Sequence, residues 1–483
     1  MSEERNDLGE LPNRWMRTTL ENCAEILDRQ RVPINTKERD ARISGKSESE
    51  LYPYYGATGQ AGWIDDYLFD EELVLLGEDG APFLEFTKDT AYIIKGKTWV
   101  NNHAHVLKAI PNIALNQHLC NYLNTFDYHD YVTGTTRLKL NQSMMRKIPV
   151  PLPPLPEQHR IVAKIEELFT QLDAGITALK QAQAQLKRYR QSVLKAAVEG
   201  ELTKAWREAH QDELEPASVL LERILKERRE RWEAEQLAKM EAKGKPPKDD
   251  TWKAKYKEPA APDTSDLSKL PEGWCWATVG QVAKTALNLV DPKTMPNSYH
   301  IAPNHIEKET GCLLPYTTVA QDKVTSSKHR FYPGQILYSK IRPYLAKAVL
   351  VDFEGVCSAD MYPINSFINS RFLHRWMLTA KFTRLASDHQ GRTVLPKINQ
   401  QALIRLPVPV PPHVEQQVIT DEVERCLSIA DEVEATIDVE LKRADRLRQS
   451  ILKDAFSGNL VPQDPDDEPA SILLERIKAD KAQ

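Results

Sequence analysis

The sequence predicts an α+β protein, with two globular domains separated by two long helices that pack as an antiparallel coiled coil in a pseudo-twofold internal repeat. Three observations predict it. Ile148-Pro-Val-Pro-Leu-Pro-Pro-Leu-Pro-Glu-Gln158 returns 258 residues later as Leu406-Pro-Val-Pro-Val-Pro-Pro-His-Val-Glu-Gln416. After each copy an apolar residue recurs at every seventh position, the spacing of a helical seam. Before each copy lie short β-rich runs, among them 73–76, 92–94 and 335–338, bounded by Gly, Pro, Asn and Asp.

The repeat sets the domain plan. Its register holds without a gap from 148–203 onto 406–461, with 19 of 56 positions identical. Arg190-Gln191-Ser192 matches Arg448-Gln449-Ser450, and Gly200 matches Gly458. Upstream, Leu11-Pro-Asn-Arg-Trp15 is echoed by Leu270-Pro-Glu-Gly-Trp274, and downstream 216–224 is echoed by 469–477. The chain therefore reads as a first globular domain (11–150), a first helix (151–200), and a charged helix with linker (201–268). A second globular domain (269–408), a second helix (409–458) and a tail repeating part of the charged segment (459–483) follow.

Each element has a local reason. Prolines hold 149–156 and 407–412 extended, because the ring fixes φ and removes the amide donor. The first helix then carries Ile165, Leu172, Leu179, Leu186 and Val193 seven apart, and the second carries Val423, Ala430, Ile437, Ala444 and Ile451. A second row runs through Leu168, Gly175, Ala182, Tyr189 and Ala196, matched by Cys426, Val433, Glu440, Leu447 and Asp454. Two readings of these stripes stand. The helices pair with each other, which the length and likeness of the rows favour, or each stripe packs on its own domain. Gly200 and Gly458 stop the helices, since glycine accepts the left-handed conformation that closes a last turn. Residues 217–243 read as a highly charged helix, either a solvated spacer or a docking surface for a partner.

Composition narrows the function classes. At 483 residues the chain is long enough for two or more domains. It has no apolar run of the ~18 residues that a membrane span requires, and its first residues lack an apolar signal core. Its six cysteines are scattered with no Cys-x-x-Cys pair, which fits reduced thiols in a cytoplasmic protein.

The run PxPPxxEQxxI, a long helix and RQSxLKxAxxGxL, written twice and alternating with two dissimilar domains, resembles the specificity subunits of type I restriction enzymes. Residues 52–59, 77–81 and 99–106 also resemble stretches of that family's target-recognition domains. The resemblance implies a subunit whose two target-recognition domains each read one half of a bipartite, asymmetric site on double-stranded DNA. It implies two copies of a methyltransferase subunit as partners, joined by restriction subunits that are helicase-nucleases. S-adenosylmethionine, ATP and Mg are then expected on those partners and no cofactor on this chain. An adaptor for a stand-alone adenine methyltransferase is the alternative. Two heads on one rigid spacer should read sites about one helical turn apart, ~34–36 Å. A helix from Ile161 to Glu199 would be ~58 Å long at ~1.5 Å per residue.

The net charge of −5 announces no nucleic-acid partner, but its distribution does. Residues 285–400 hold 14 Lys and Arg against 8 Asp and Glu, whereas 19–147 hold 14 against 18. In the second domain Lys328, Arg330, Lys340, Arg342 and Tyr344 are the expected DNA contacts, or else a solvated basic face. In the first, the acidic run 65–79 is expected to lie away from DNA. Two surfaces remain there: Lys97 with Asn101, Asn102 and His103, and the loop holding Thr135, Thr136, Arg137 and Lys139. That loop has a counterpart in Arg392, Thr393 and Lys397. Each surface has a plain structural alternative, a core turn for 101–105 and a connecting turn for the loops.

A catalytic role finds no support in motifs. There is no phosphate-binding GxxxxGK[ST] loop, no HExxH and no GxSxG. The adenine methyltransferases' Asn-Pro-Pro-aromatic motif is absent as well. His103 and His105 lack further nearby Cys or His, so no metal site is expected. The carboxylates of 65–79 do not recur in the second domain, as duplicated nuclease sites would require.

Overall fold

The computed structural model describes residues 10–85, 87–244, 247, 249–388 and 396–481. The chain forms two compact units, residues 1–181 with 436–483, and residues 182–435. Each unit therefore combines one globular domain, the start of the long helix that follows it and the end of the other long helix.

In the first unit, Met16–Thr19 pairs antiparallel with Pro149–Leu152, so the proline stretch is a strand. Proline tolerates such a two-stranded ladder because half its amides face away from the partner. Val150 and Leu152, between the prolines, are fully buried. The main sheet runs Ala24–Ile26, Ala104–Ala109, Leu73–Gly77, Ala91–Ile94, each antiparallel to its neighbour. A second sheet runs Gly59–Ile64, Tyr52–Gly56, Lys97–Val100, Phe69–Asp70, with one parallel pair at its centre.

The second unit repeats this plan on a different sequence. Cys275–Thr278 pairs with Pro407–Val410. Its main sheet runs Ala283–Thr285, Met361–Ser366, Ile336–Ser339, Ala348–Leu350, again all antiparallel. Its second sheet runs Thr317–Thr318, Tyr299–Ile301, Gly355–Cys357, Lys328–Phe331, with the parallel pair in the same place. An added edge strand, Leu289–Val290, is the difference.

The long helices span Leu155–Val198 and His413–Phe456. Both end in the same hydrogen-bonded closure: Glu201 N to Ala196 O with Gly200 N to Ala197 O, and Asn459 N to Asp454 O with Gly458 N to Ala455 O. Gly200 and Gly458 sit at φ +76° and +75°, where glycine alone is free of strain.

Within each unit the two helix segments run in opposite directions. In the first, Arg448 pairs with Asp173 and lies 4.3 Å from the centre of the Phe169 ring. In the second, Arg190 pairs with Asp431 and with Glu434 at 2.7 Å. These are repeat-related residues, so one contact is made twice. Val423, Ala430, Ile437, Ala444 and Ile451 are all buried, as are Ile165 and Val193, while Leu172, Leu179 and Leu186 are half-buried. The second row is less buried: Gly175, Tyr189, Val433 and Leu447 are exposed, Leu168, Ala182 and Glu440 half-buried and Cys426 buried.

A buried carboxylate opens each helix. Trp15 Nε1 donates to Glu157 at 3.0 Å and Trp274 Nε1 to Glu415 at 2.8 Å. Glu157 also accepts from Gln463 at 2.7 Å, whereas Glu415 accepts from Thr203 at 2.8 Å and from Arg207 at 2.7 Å. The charged segment is tied down by the same scheme. Ala217 N donates to Gly273 O and Ala470 N to Arg14 O, and Ala217, Leu220 and Ile224 join the second unit's core. The first two turns of helix Ala217–Ala242 are thus structural. Among the described residues no helix is long and apolar enough to cross a membrane.

Candidate nucleic-acid interface

In each globular domain the strand leaving the main sheet meets the loop that precedes the proline strand. In the first domain Gly80 N donates to Leu138 O and Leu140 N to Glu78 O, at 2.9 and 2.8 Å. In the second, Arg342 N donates to Pro396 O and Ile398 N to Lys340 O, also at 2.8 and 2.9 Å. The bridges Asp79–Lys139 and Ile341–Lys397 mark the same point in both. The corner is one structure with two sets of side chains.

Around the first corner lies an open cleft of about 1210 Å³. Four separate stretches of the chain line it: 56–61, 79–85 with Lys88 and Asp89, Asn101 with His103, and 136–138. It brings together Asn101, His103, Thr136 and Arg137, but not Lys97, Asn102, Thr135 or Lys139. Arg137 pairs with Asp79 at 2.5 Å and is otherwise exposed, and His103 lies 3.5 Å from the same carboxylate. Asp79 therefore lines the cleft, and the acidic run does not lie wholly apart from it. Asn101 is buried; its Oδ1 accepts from His103 N at 2.8 Å, which spends the amide on shaping the turn. Asn102, Thr135 and Thr136 are exposed beside these side chains. Lys97 lies on the second sheet with its ammonium 4.7 Å from the centre of the Tyr67 ring. The turn 56–61 was not among the residues expected at the site. Its signal was the glycine pair Gly56 and Gly59 within 52–59, which was read for resemblance alone.

Beneath the cleft lies a group of Asp28, Glu78 and His105. Their potential ligand atoms lie within 4.8 Å of one another, but each is already engaged by protein groups. Arg31 pairs with Glu78 at 2.8 Å and Lys139 reaches it at 3.3 Å. His105 Nδ1 faces Asp28 at 2.7 Å and its Nε2 faces Leu140 O at 2.9 Å. Burial pushes the Asp28 carboxyl up, but His105, the Val106 amide and Gln142 pull it further down, leaving it below the usual carboxylate value. The charges are thus matched internally by protein groups.

The second corner is basic. Lys397 lies 3.1 Å and Lys340 3.7 Å from Asp360, so two cations share one carboxylate. Next to them Arg342 and Ala346 take φ +48° and +44°, a left-handed conformation that costs a non-glycine residue ~1–3 kcal/mol. They bracket a turn that leaves Arg342 and Tyr344 exposed. Arg330 stands on a strand, paired with Glu354 at 3.0 Å. Lys328 is buried, and its ammonium donates to Ser326 O and Oγ at 2.9 and 2.6 Å. Burial lowers its pKa below the ordinary lysine value. Arg392 and Thr393 lie outside the described residues.

Comparison with known proteins places the chain in a family. The family model of the type I restriction modification DNA specificity domain matches residues 12–188. The chain is 36% identical over 486 residues to the type I restriction enzyme EcoDI specificity subunit of Escherichia coli, covering 98% of this chain and 97% of that one. It is 26% identical over 513 residues to the EcoBI specificity subunit of the same species, covering 99% and 94%. In fold it is similar to a solved chain from work on complex assembly and conformational transition of the type I R-M system, with TM-score 0.59 and 14% identity over 94% of this chain and 100% of that one. With a relative this similar along nearly its full length, the chain belongs to the specificity subunits of type I restriction enzymes.

Proposed function

We propose that this chain reads a bipartite, asymmetric DNA site, one half through each globular domain, and brings partner subunits to it. One observation carries the reading: two domains that share their strand order, apart from one added edge strand, present the same corner with different side chains and differently neutralised charge. A shared frame with unlike loops is what two different half-sites require, since sequence is read by side chains at base edges while the frame sets position. Two methyltransferase subunits and helicase-nuclease subunits supply S-adenosylmethionine, ATP and Mg chemistry in the cytoplasm, and this chain contributes no catalytic group.

The test is domain exchange. Residues 16–147 are replaced by the equivalent segment of another specificity subunit, and methylated sites are mapped in a host carrying the matching methyltransferase. One half of the recognised site is expected to change. A change in both halves, or in neither, would overturn the proposal. Purified alone, the chain is expected neither to methylate nor to cleave DNA.

A further inference from the structure

The loop before the proline strand is fastened from below at one carbonyl, and the two domains fasten it with different chemistry. In the first domain the His105 ring reaches Leu140 O at 2.9 Å. In the second the Tyr362 hydroxyl reaches Ile398 O at 3.4 Å. The positions are equivalent. Gly77 pairs with Ala104, one residue before His105, and Ser339 pairs with Met361, one residue before Tyr362. Leu140 N and Ile398 N likewise bond to Glu78 O and Lys340 O, the residues that follow those strands. Neither the sequence repeat nor the alignment of the helices extends to this pair.

We propose that His105 and Tyr362 are positioning residues, each setting how its own domain's corner loop is presented to its own half-site. The claim rests on the reading that these corners meet DNA.

The first tether is the more elaborate. One ring nitrogen of His105 faces the Asp28 carboxylate and the other faces Leu140 O, so the ring links the two. Asp28 is itself fixed by Val106 N at 2.9 Å and by Gln142 Nε2 at 2.8 Å. Gln142 follows the loop directly, so the loop is held at two points by one buried carboxylate. Arg31 closes the network, reaching Glu78 at 2.8 Å and Ala104 O at 2.6 Å. Arg137 and His103, which face the cleft, stand on the far side of the same strand turn and share Asp79. A shift of Leu140 thus moves the side chains nearest the cleft. The second tether is a single hydroxyl, with the Lys340 ammonium 5.6 Å from the centre of the Tyr362 ring, so that ring also positions one of the basic groups around Asp360.

The experiment uses the complex of this chain with its own methyltransferase subunit, mapping methylation over all near-cognate sites. His105→Ala is expected to lower discrimination roughly tenfold at positions of the first half-site, the size of one weakened base contact, and to leave the second half intact. Tyr362→Phe is expected to do the reverse. A general structural defect would lower methylation at every site without changing the ranking of near-cognate sequences. If His105→Ala does not fold, Gln142→Ala removes one tether point of the same loop and is expected to shift the same half-site. Discrimination altered equally in both halves, or in neither, overturns the proposal. Exchange of residues 134–141 separates the two claims. If the exchange changes the first half-site and His105→Ala does not, the tether alone fails. If the exchange changes nothing, the reading of the corner as a DNA contact fails with it.

Discussion

The two globular domains share strand order, the parallel pair in the second sheet and the corner where loop meets strand, yet they differ in charge and in how that charge is neutralised. In the first, Glu78 and Asp79 are matched by Arg31, Lys139 and Arg137. In the second, Lys340 and Lys397 divide Asp360 between them. Domain net charge is therefore a poor guide to what the corner shows to a ligand. The acidic domain neutralises Glu78 and Asp79 with its own cations and leaves Arg137 at the cleft edge. The lesson is that a frame fixed by main-chain pairing tolerates very different loops, which is why recognition sits on loops.

The same pairing of like positions yields predictions. The largest effect is expected at the buried carboxylates. Glu415→Ala removes the carboxylate paired with Arg207, leaving that guanidinium its bond to Gly200 O, and should cost ~3–5 kcal/mol, as breaking a buried ion pair does. Glu157→Ala loses the hydrogen bonds from neutral Trp15 and Gln463, with Arg160 still paired to Asp467, and should cost ~1–3 kcal/mol. Chemical denaturation of the full chain measures both, and equal losses would erase the distinction between the units. Next are the helix ends. A Cβ at Gly458 would overlap Pro12 and one at Gly200 would overlap Pro271, so alanine at either should destabilise by more than ~1 kcal/mol.

Asp28 gives the first domain a pH dependence. Its carboxyl is held below the ordinary value, by His105, the Val106 amide and Gln142 against the upward push of burial. The stability it adds is therefore complete above ~3.9 and is lost as pH falls through the lower folded value. Asp28→Asn should be less stable than the parent at neutral pH, with the gap closing in acid. A gap that widens in acid would reverse the sign. The smallest effect is expected at the repeated helix pair. Arg190→Ala and Arg448→Ala remove ion pairs whose acidic partners are largely exposed, and each should cost ~0–1 kcal/mol, less at high salt.

Much of the frame was legible. The repeat marked both helices, the every-seventh row of the second helix is buried throughout, and both glycines close their helices as expected. Such features depend on residues near one another in the chain, where spacing alone dictates geometry. The likeness of the two domains was not legible. Strand order is enforced by main-chain hydrogen bonds and alternating burial, and many unrelated sequences satisfy both. The first cleft was half legible. Asn101, His103, Thr136 and Arg137 were expected and do meet, but the amide of Asn101 is spent internally, and only the fold shows that.

By itself the sequence determined that this protein is one plan written twice, with matched helices and unmatched heads. The tertiary structure decided which repeated residues meet. Arg190 and Asp173 recur as Arg448 and Asp431, and antiparallel packing pairs each arginine with the other copy's aspartate. It also decided that His105 and Tyr362 do one job. Both facts depend on residues distant in the chain, and hydrophobic spacing carries no information about which distant carbonyl or carboxylate a side chain will reach.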